Sequence, residues 1–165
     1  LRDARILTIY EGTTAIQAND LVGRKTARDG GRTAKAIAAQ IEVTETRLAA
    51  SNDVAAQSMF KRLRAAREAF VEVVDFVATH TKGSPNAVFA GSVPYLMLAG
   101  NLMAGWQMAR ALIVAEDSKD DAAFMAAKVA TSRFYAEHIL SKVPGIRDSI
   151  VDGHAAINDM ALEAF

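Results

Sequence analysis

Met59, Leu63, Ala66, Phe70, Val73 and Val77 stand 4, 3, 4, 3 and 4 residues apart. That spacing keeps all six on one face of an α-helix, whereas a strand would scatter them over both of its faces. A helix is therefore expected from about Asp53 to His80, with Asn52 or Asp53 as its N-cap and Gly83 and Pro85 beyond its end. A helix this long and apolar along one side must bury that side against other elements. Alanine is the commonest residue, and Gly and Pro cluster at a few points. With no strand alternation beyond a few residues, the fold class expected is all-α.

Three more helices complete an expected up-and-down bundle over residues 33–140. One runs from Thr33 to Ala50, with Ala34, Ile37, Ile41 and Leu48 inward. Another follows Pro94, with Tyr95, Leu98, Leu102, Trp106, Ala109 and Ile113 inward; its other faces are also apolar, which predicts the most buried element. The last runs from about Asp120 to Leu140, headed by Asp120 and Asp121, with Ala123, Ala127, Ala130 and Phe134 as its inner face. Val143-Pro144-Gly145 is expected to break it, and a turn at Asp152-Gly153 to precede a short terminal helix. Asp29-Gly30-Gly31 is the expected domain boundary, since two glycines separate differently patterned helical stretches.

The chain balances 19 Lys+Arg against 19 Asp+Glu. A net charge of zero argues against nucleic acid as a partner, because non-specific binding there is driven by phosphate neutralisation. No cysteine is present, so no disulfide, thiolate nucleophile or Cys-based zinc site is possible. His80, His138 and His154 are too far apart for a helical zinc motif, and no metal is expected. The residues from Leu1 onward lack the basic flank and apolar core of a signal peptide, pointing to the cytoplasm. The charge-free stretch 83–109 is interrupted by prolines and amides, so a buried helix is favoured over a membrane span, with membrane-surface contact a minor alternative. Because the chain opens on Leu1 rather than methionine, it is read as a fragment of a longer polypeptide.

Residues 1–29 read as helix, break, helix, with Gly12 at the break. Thr14-Ala15-Ile16-Gln17 has the capping-box pattern, in which hydroxyl and amide satisfy the backbone donors of a helix start. Capping alone would account for these residues. The run Tyr10-Glu11-Gly12-Thr13, followed by Ile16-Gln17, also closely resembles the C-terminal signature of acyl-CoA dehydrogenases. Leu21-Val22-Gly23-Arg24-Lys25 resembles the bacterial branch that carries an extra C-terminal helical domain. Pro94-Tyr95-Leu96, Gly105-Trp106 and Arg133-Phe134-Tyr135-Ala136-Glu137-His138 are similar to the extension of 3-methylmercaptopropionyl-CoA dehydrogenase-like members.

The resemblance implies that residues 1–29 end a catalytic helical domain and that residues 30–165 form an appended helical bundle. It implies a parent enzyme that uses FAD to oxidise an acyl-CoA to the trans-2-enoyl-CoA. Glu11 would be the base that removes the α-proton while the β-hydrogen leaves as hydride for the flavin. The α-proton of a thioester is weakly acidic, so the base must be held against it and the enolate oxygen must receive hydrogen bonds. The resemblance assigns Thr13 and Gln17 to FAD, and Tyr10, Gly12 and Arg24 to the acyl-CoA. Ala15 stands where some relatives have Gln. Gly23 occupies the position at which relatives often have a CoA-phosphate Arg, with Arg24 immediately after it. An electron-transfer flavoprotein as acceptor and a homo-oligomeric parent follow from the same resemblance, and the isolated chain is expected to be inactive. The alternative is a non-catalytic helical module for dimerisation, membrane-surface or electron-acceptor binding.

Other candidates have structural explanations. Lys61, Arg62, Arg64 and Arg67, with Glu68 and Glu72 at helical spacing, read as a solvated, ion-paired surface. Met97, Met103, Trp106 and Met108 read as core rather than a ligand groove. His80, near a helix end, and Glu137-His138 are assigned no function.

Overall fold

The computed structural model describes residues 5–6, 12–118 and 121–159. All regular structure among these residues is helical. Four long helices form the bundle: α2 (Arg32–Ala49), α3 (Val54–His80), α5 (Ser92–Asp117) and α6 (Ala122–His138). Around them lie the shorter α1 (Thr14–Asp20), α4 (Pro85–Ala90), α7 (Val143–Val151) and α8 (His154–Asn158). The all-α bundle expected from the spacing is the fold found.

α3 is the central helix, packing against α2, α5, α6 and α7. Every residue of its expected stripe, from Met59 to Val77, is buried. Its N-cap is Asp53, whose Oδ1 accepts from the Ala55 and Ala56 amides at 2.7 and 3.3 Å. This satisfies donors that a helix start otherwise leaves unpaired. α5 begins at Ser92 rather than after Pro94. Pro94 sits in its first turn, where a missing amide hydrogen costs no helical bond. Tyr95, Leu98, Leu102 and Ala109 are buried as expected, while Trp106 is half-buried, packed against the core with its Nε1–H donated to Thr44 Oγ1 at 2.8 Å. Met103 and Met108 pack against the core, but Met97 is 53% exposed and is no part of it.

α6 lies the other way round from expectation. Met125, Val129, Ser132 and Ala136 face the bundle, whereas Ala123, Ala127, Ala130 and Phe134 face outward. Both sets are helically spaced, and since the outward one includes Phe134, 58% exposed, side-chain size alone does not choose the inward face; contacts with α3 and α5 do. Ser132 Oγ donates to Met108 O of α5 at 3.1 Å, and Phe134 stacks outside on His138 at 4.5 Å. α5 and the 3₁₀ turn after α6 approach closely where Gly105 meets Leu140: a Cβ at 105 would lie 2.6–2.9 Å from three Leu140 side-chain carbons.

Val143-Pro144-Gly145 does not break α6, which ends at His138; after a 3₁₀ turn at Leu140–Lys142 it opens α7, with the proline in the first turn. α7 packs against α3 and α5, adding a fifth member to the bundle. Arg147 holds it to α3 through Glu72. The turn at residues 152–153 and the short α8 follow as expected.

Among the basic residues of α3, Arg64 pairs with Glu68 at the surface. Arg67 departs from the expected solvated role: it makes a two-pronged bond to buried Glu45 of α2, at 2.7 and 2.9 Å.

Candidate functional site

The segment bearing the sequence motif enters the described structure at Gly12. Glu11 and Tyr10, assigned as base and substrate contact, lie outside the described residues. Gly12 has φ of 111°, a left-handed conformation open to glycine and strained for other residues. Among the described residues no atom would crowd a Cβ there.

α1 then starts one residue earlier than the capping box requires. Thr13, not Thr14, occupies the N-cap position, and its side chain makes no capping hydrogen bond. The Gln17 amide bonds to Thr13 O at 2.9 Å, and the Gln17 side chain is exposed. The reciprocal cap is therefore not formed. Thr13 and Gln17 stand one turn apart with their polar groups unused in capping, and the neighbouring Ile16 is 65% exposed.

The opposite face of the segment is fixed to the bundle. Ala18, Val22 and Thr26 are buried, and α1 packs against α5. Between α1 and α2 the backbone widens into a π-helical stretch, Leu21–Thr26, in which the Ala27 amide reaches Val22 O. Such stretches are rare and frequently mark functional sites. At its end, Thr26 Oγ1 and the Tyr95 hydroxyl of α5 form a buried hydrogen bond of 2.9 Å. Burial pushes the Tyr95 phenol above its usual range, and the Thr26 bond partly opposes that. Nothing in local sequence spacing marks this pair, whose partners are 69 residues apart.

Arg24 leans on Asp20 one turn back, at 3.1 Å, with a guanidinium side chain 75% exposed. An incoming phosphate would compete with a single surface carboxylate, which holds it weakly. Beyond this segment, Gly30 and Gly31 have φ of 67° and 80°. Asp29 spans the turn: its carboxylate accepts from the Gly31 amide and from both the amide and hydroxyl of Thr33. The Thr33 bonds hold Asp29 below the usual carboxylate range. Gly31 also permits close approach, since a Cβ there would lie 2.5 Å from Val74 Cγ1.

Elsewhere, a groove of about 590 Å³ runs between the start of α3 and α6, lined by Asp53, Arg133, Phe134, Glu137 and His138 among others. Its ionic groups are engaged: Glu137 accepts from Arg133 and Ser58, which hold it below the usual range. Among the described residues no three His, Cys, Asp or Glu side chains are grouped to hold a metal, and no helix is long and apolar enough to cross a membrane.

Comparison with known proteins bears on which chemistry this segment serves. Residues 33–161 match the family described as acetyl-CoA dehydrogenase C-terminal like. The chain is also 47% identical over 154 residues to the 3-methylmercaptopropionyl-CoA dehydrogenase of Ruegeria pomeroyi, covering 92% of this chain and 26% of that protein. The chain belongs to the acyl-CoA dehydrogenase family. Two further family members extend the likeness. It is 31% identical to a broad-specificity linear acyl-CoA dehydrogenase of Mycobacterium tuberculosis, over 91% of this chain and 26% of that protein. It is 32% identical to a butyryl-CoA dehydrogenase of Syntrophomonas wolfei, over 99% of this chain and 28% of that protein. The chain thus spans about a quarter of the length of the curated family members it matches.

Proposed function

We propose that this chain supplies the base-bearing segment and an appended helical bundle of an FAD-dependent acyl-CoA dehydrogenase that converts acyl-CoA to trans-2-enoyl-CoA. The observation that carries the reading is the edge Gly12–Gln17. There the family motif runs into a helix whose buried side is anchored to the bundle and whose other side carries polar groups that take no part in capping it.

Glu11 removes the α-proton. Gly12, with no side chain and a left-handed backbone, lets the chain turn close to the thioester, alongside Tyr10. A backbone amide at this break donates to the developing enolate oxygen, where fixed dipoles lower the barrier most. Thr13 and Gln17 fit a polar cofactor, since neither side chain is used in capping; they would hold the FAD. When bound, the flavin supplies the acceptor for the β-hydrogen. Arg24 exchanges Asp20 for a CoA phosphate. Residues 1–29 belong to the catalytic helical domain and residues 30–165 to the appended bundle, with the boundary at the left-handed glycine pair. An electron-transfer flavoprotein takes the electrons onward, and the parent enzyme is a homo-oligomer. The isolated chain, a quarter of its relatives' length, has no activity of its own.

The test is Glu11→Gln in the full-length enzyme. Bleaching of the flavin by acyl-CoA is expected to disappear while FAD remains bound; persistent bleaching would remove Glu11 as the base.

A further inference from the structure

We propose that Tyr95 is a positioning residue for the base-bearing segment, acting through its buried hydrogen bond to Thr26. This rests on the assignment of Glu11 as the base. The bond joins two side chains that are each 1% exposed, and it measures 2.9 Å. In such surroundings neither hydroxyl can turn to water instead, so breaking the bond leaves a buried polar group unmet.

Thr26 occupies the joint of the segment. It closes the π-helical stretch Leu21–Thr26, precedes the 3₁₀ turn Ala27–Asp29, and its carbonyl accepts the Gly31 amide at 2.9 Å. A helical threonine ordinarily returns its hydroxyl to the carbonyl four residues back. Here that carbonyl, on Val22, receives the Ala27 amide in the wide π-type bond, and the Thr26 hydroxyl meets α5 instead. The Tyr95 ring is itself packed in the core, 6.1 Å from the Phe70 ring of α3. Tyr95 therefore ties the unusual turn to the buried core of the bundle.

From Thr26 back to Gly12 the chain is helical nearly throughout, a lever of about 20 Å at about 1.5 Å per residue. A rotation of about 3° at the joint displaces the far end by about 1 Å. A misplacement of that size can cost about a hundredfold in rate. Ala18 and Val22 hold the segment against the bundle and limit large swings, but apolar contacts are non-directional and do not fix its angle to within a few degrees. The hydroxyl pair, being directional, does.

The test uses the full-length, flavin-loaded enzyme with Tyr95→Phe, Thr26→Val and the double variant, followed by acyl-CoA-driven flavin reduction and by hydrogen exchange over residues 14–26. Each single variant is expected to lower kcat at least tenfold with KM and FAD content nearly unchanged. The double variant should be no slower than either single, and Thr26→Ser, which keeps the hydroxyl, should restore the rate. Exchange over residues 14–26 should rise in the slow variants. If Tyr95→Phe and Thr26→Val lower the melting temperature yet keep kcat within twofold, the pair is only structural and the proposal falls. A parallel Glu11→Gln measurement separates the two ideas. Retained flavin reduction there removes the base assignment and this proposal with it. Its loss, combined with normal kcat in Tyr95→Phe, removes the positioning role alone.

Discussion

Glu45 and Arg67 illustrate how a single pair can escape local reading. In sequence Arg67 belongs to a basic run with Glu68 and Glu72 at helical spacing, and a solvated surface is the natural inference. Its true partner is on another helix, 22 residues back, and both side chains are largely removed from water. Glu45→Ala leaves the Arg67 charge, largely removed from water, with only its longer 3.8 Å contact to exposed Glu42, and should cost about 2–3 kcal/mol in urea unfolding. Replacing both, as Glu45→Leu with Arg67→Met, should recover most of that loss, because the apolar pair carries no desolvation penalty. Glu116 behaves in the opposite sense. Burial, and the carboxylates of Asp53 and Asp117, push it above the usual carboxylate range. A raised folded-state value means that the stability contribution is present below the unfolded value, near 4.5, and is lost as pH rises through the folded one. Glu116→Gln should therefore raise the urea midpoint at pH 7 and leave it nearly unchanged at pH 4; equal effects at both would contradict this. Asp29 and Glu137, both held low, contribute the reverse trend, with stability lost as pH falls below the usual carboxylate range.

Among the helices, α3 was the most legible because an unbroken 4-3-4-3-4 apolar stripe runs along it, and its N-cap could be narrowed to two adjacent residues; the burial of Val74 and Phe76 beside that stripe comes from neighbours on its other sides. α6 was not, because alanines, Met125, Val129 and Phe134 surround it and several helically spaced stripes can be drawn. Only the neighbouring helices choose among them, and that information is absent from local spacing. The capping box failed for a related reason: Thr13 and Thr14 offer the same hydroxyl one residue apart, and the left-handed Gly12 sets the helix to begin after Thr13. The N-cap of α6 is firmer, with Asp121 accepting from Ala123 and Phe124 at 3.0 and 3.1 Å. Asp121→Ala should cost about 1 kcal/mol in thermal or urea unfolding. The crossing of α5 with the 3₁₀ turn after α6 is less tolerant. Gly105→Ala would press a methyl group into fully buried Leu140, and should destabilise the chain by about 1–3 kcal/mol, with Leu140→Ala in the same chain relieving the overlap.

For the molecule as a whole, the chain's family was readable from the motif Tyr10–Gln17 and a few short segments beyond it, while the attachment of the N-terminal segment to the bundle was not. The glycine pair at 30–31 divides the chain by pattern, yet Ala18, Val22 and Thr26 are as deeply buried as the core of α3. Hydrogen exchange should accordingly give residues 18–26 protection close to that of α3, whereas a separately folding N-terminal piece would exchange much earlier. One contact within the bundle has a practical consequence. Trp106 is the chain's sole tryptophan, and its indole sits half-buried between α2 and α5, donating to Thr44 and lying under the Arg110 guanidinium. The chain therefore carries an optical gauge of its own: excited at the red edge, where its three tyrosines do not absorb, the indole reports unlabelled on the seam between two named helices, and any treatment that parts them should redden its emission.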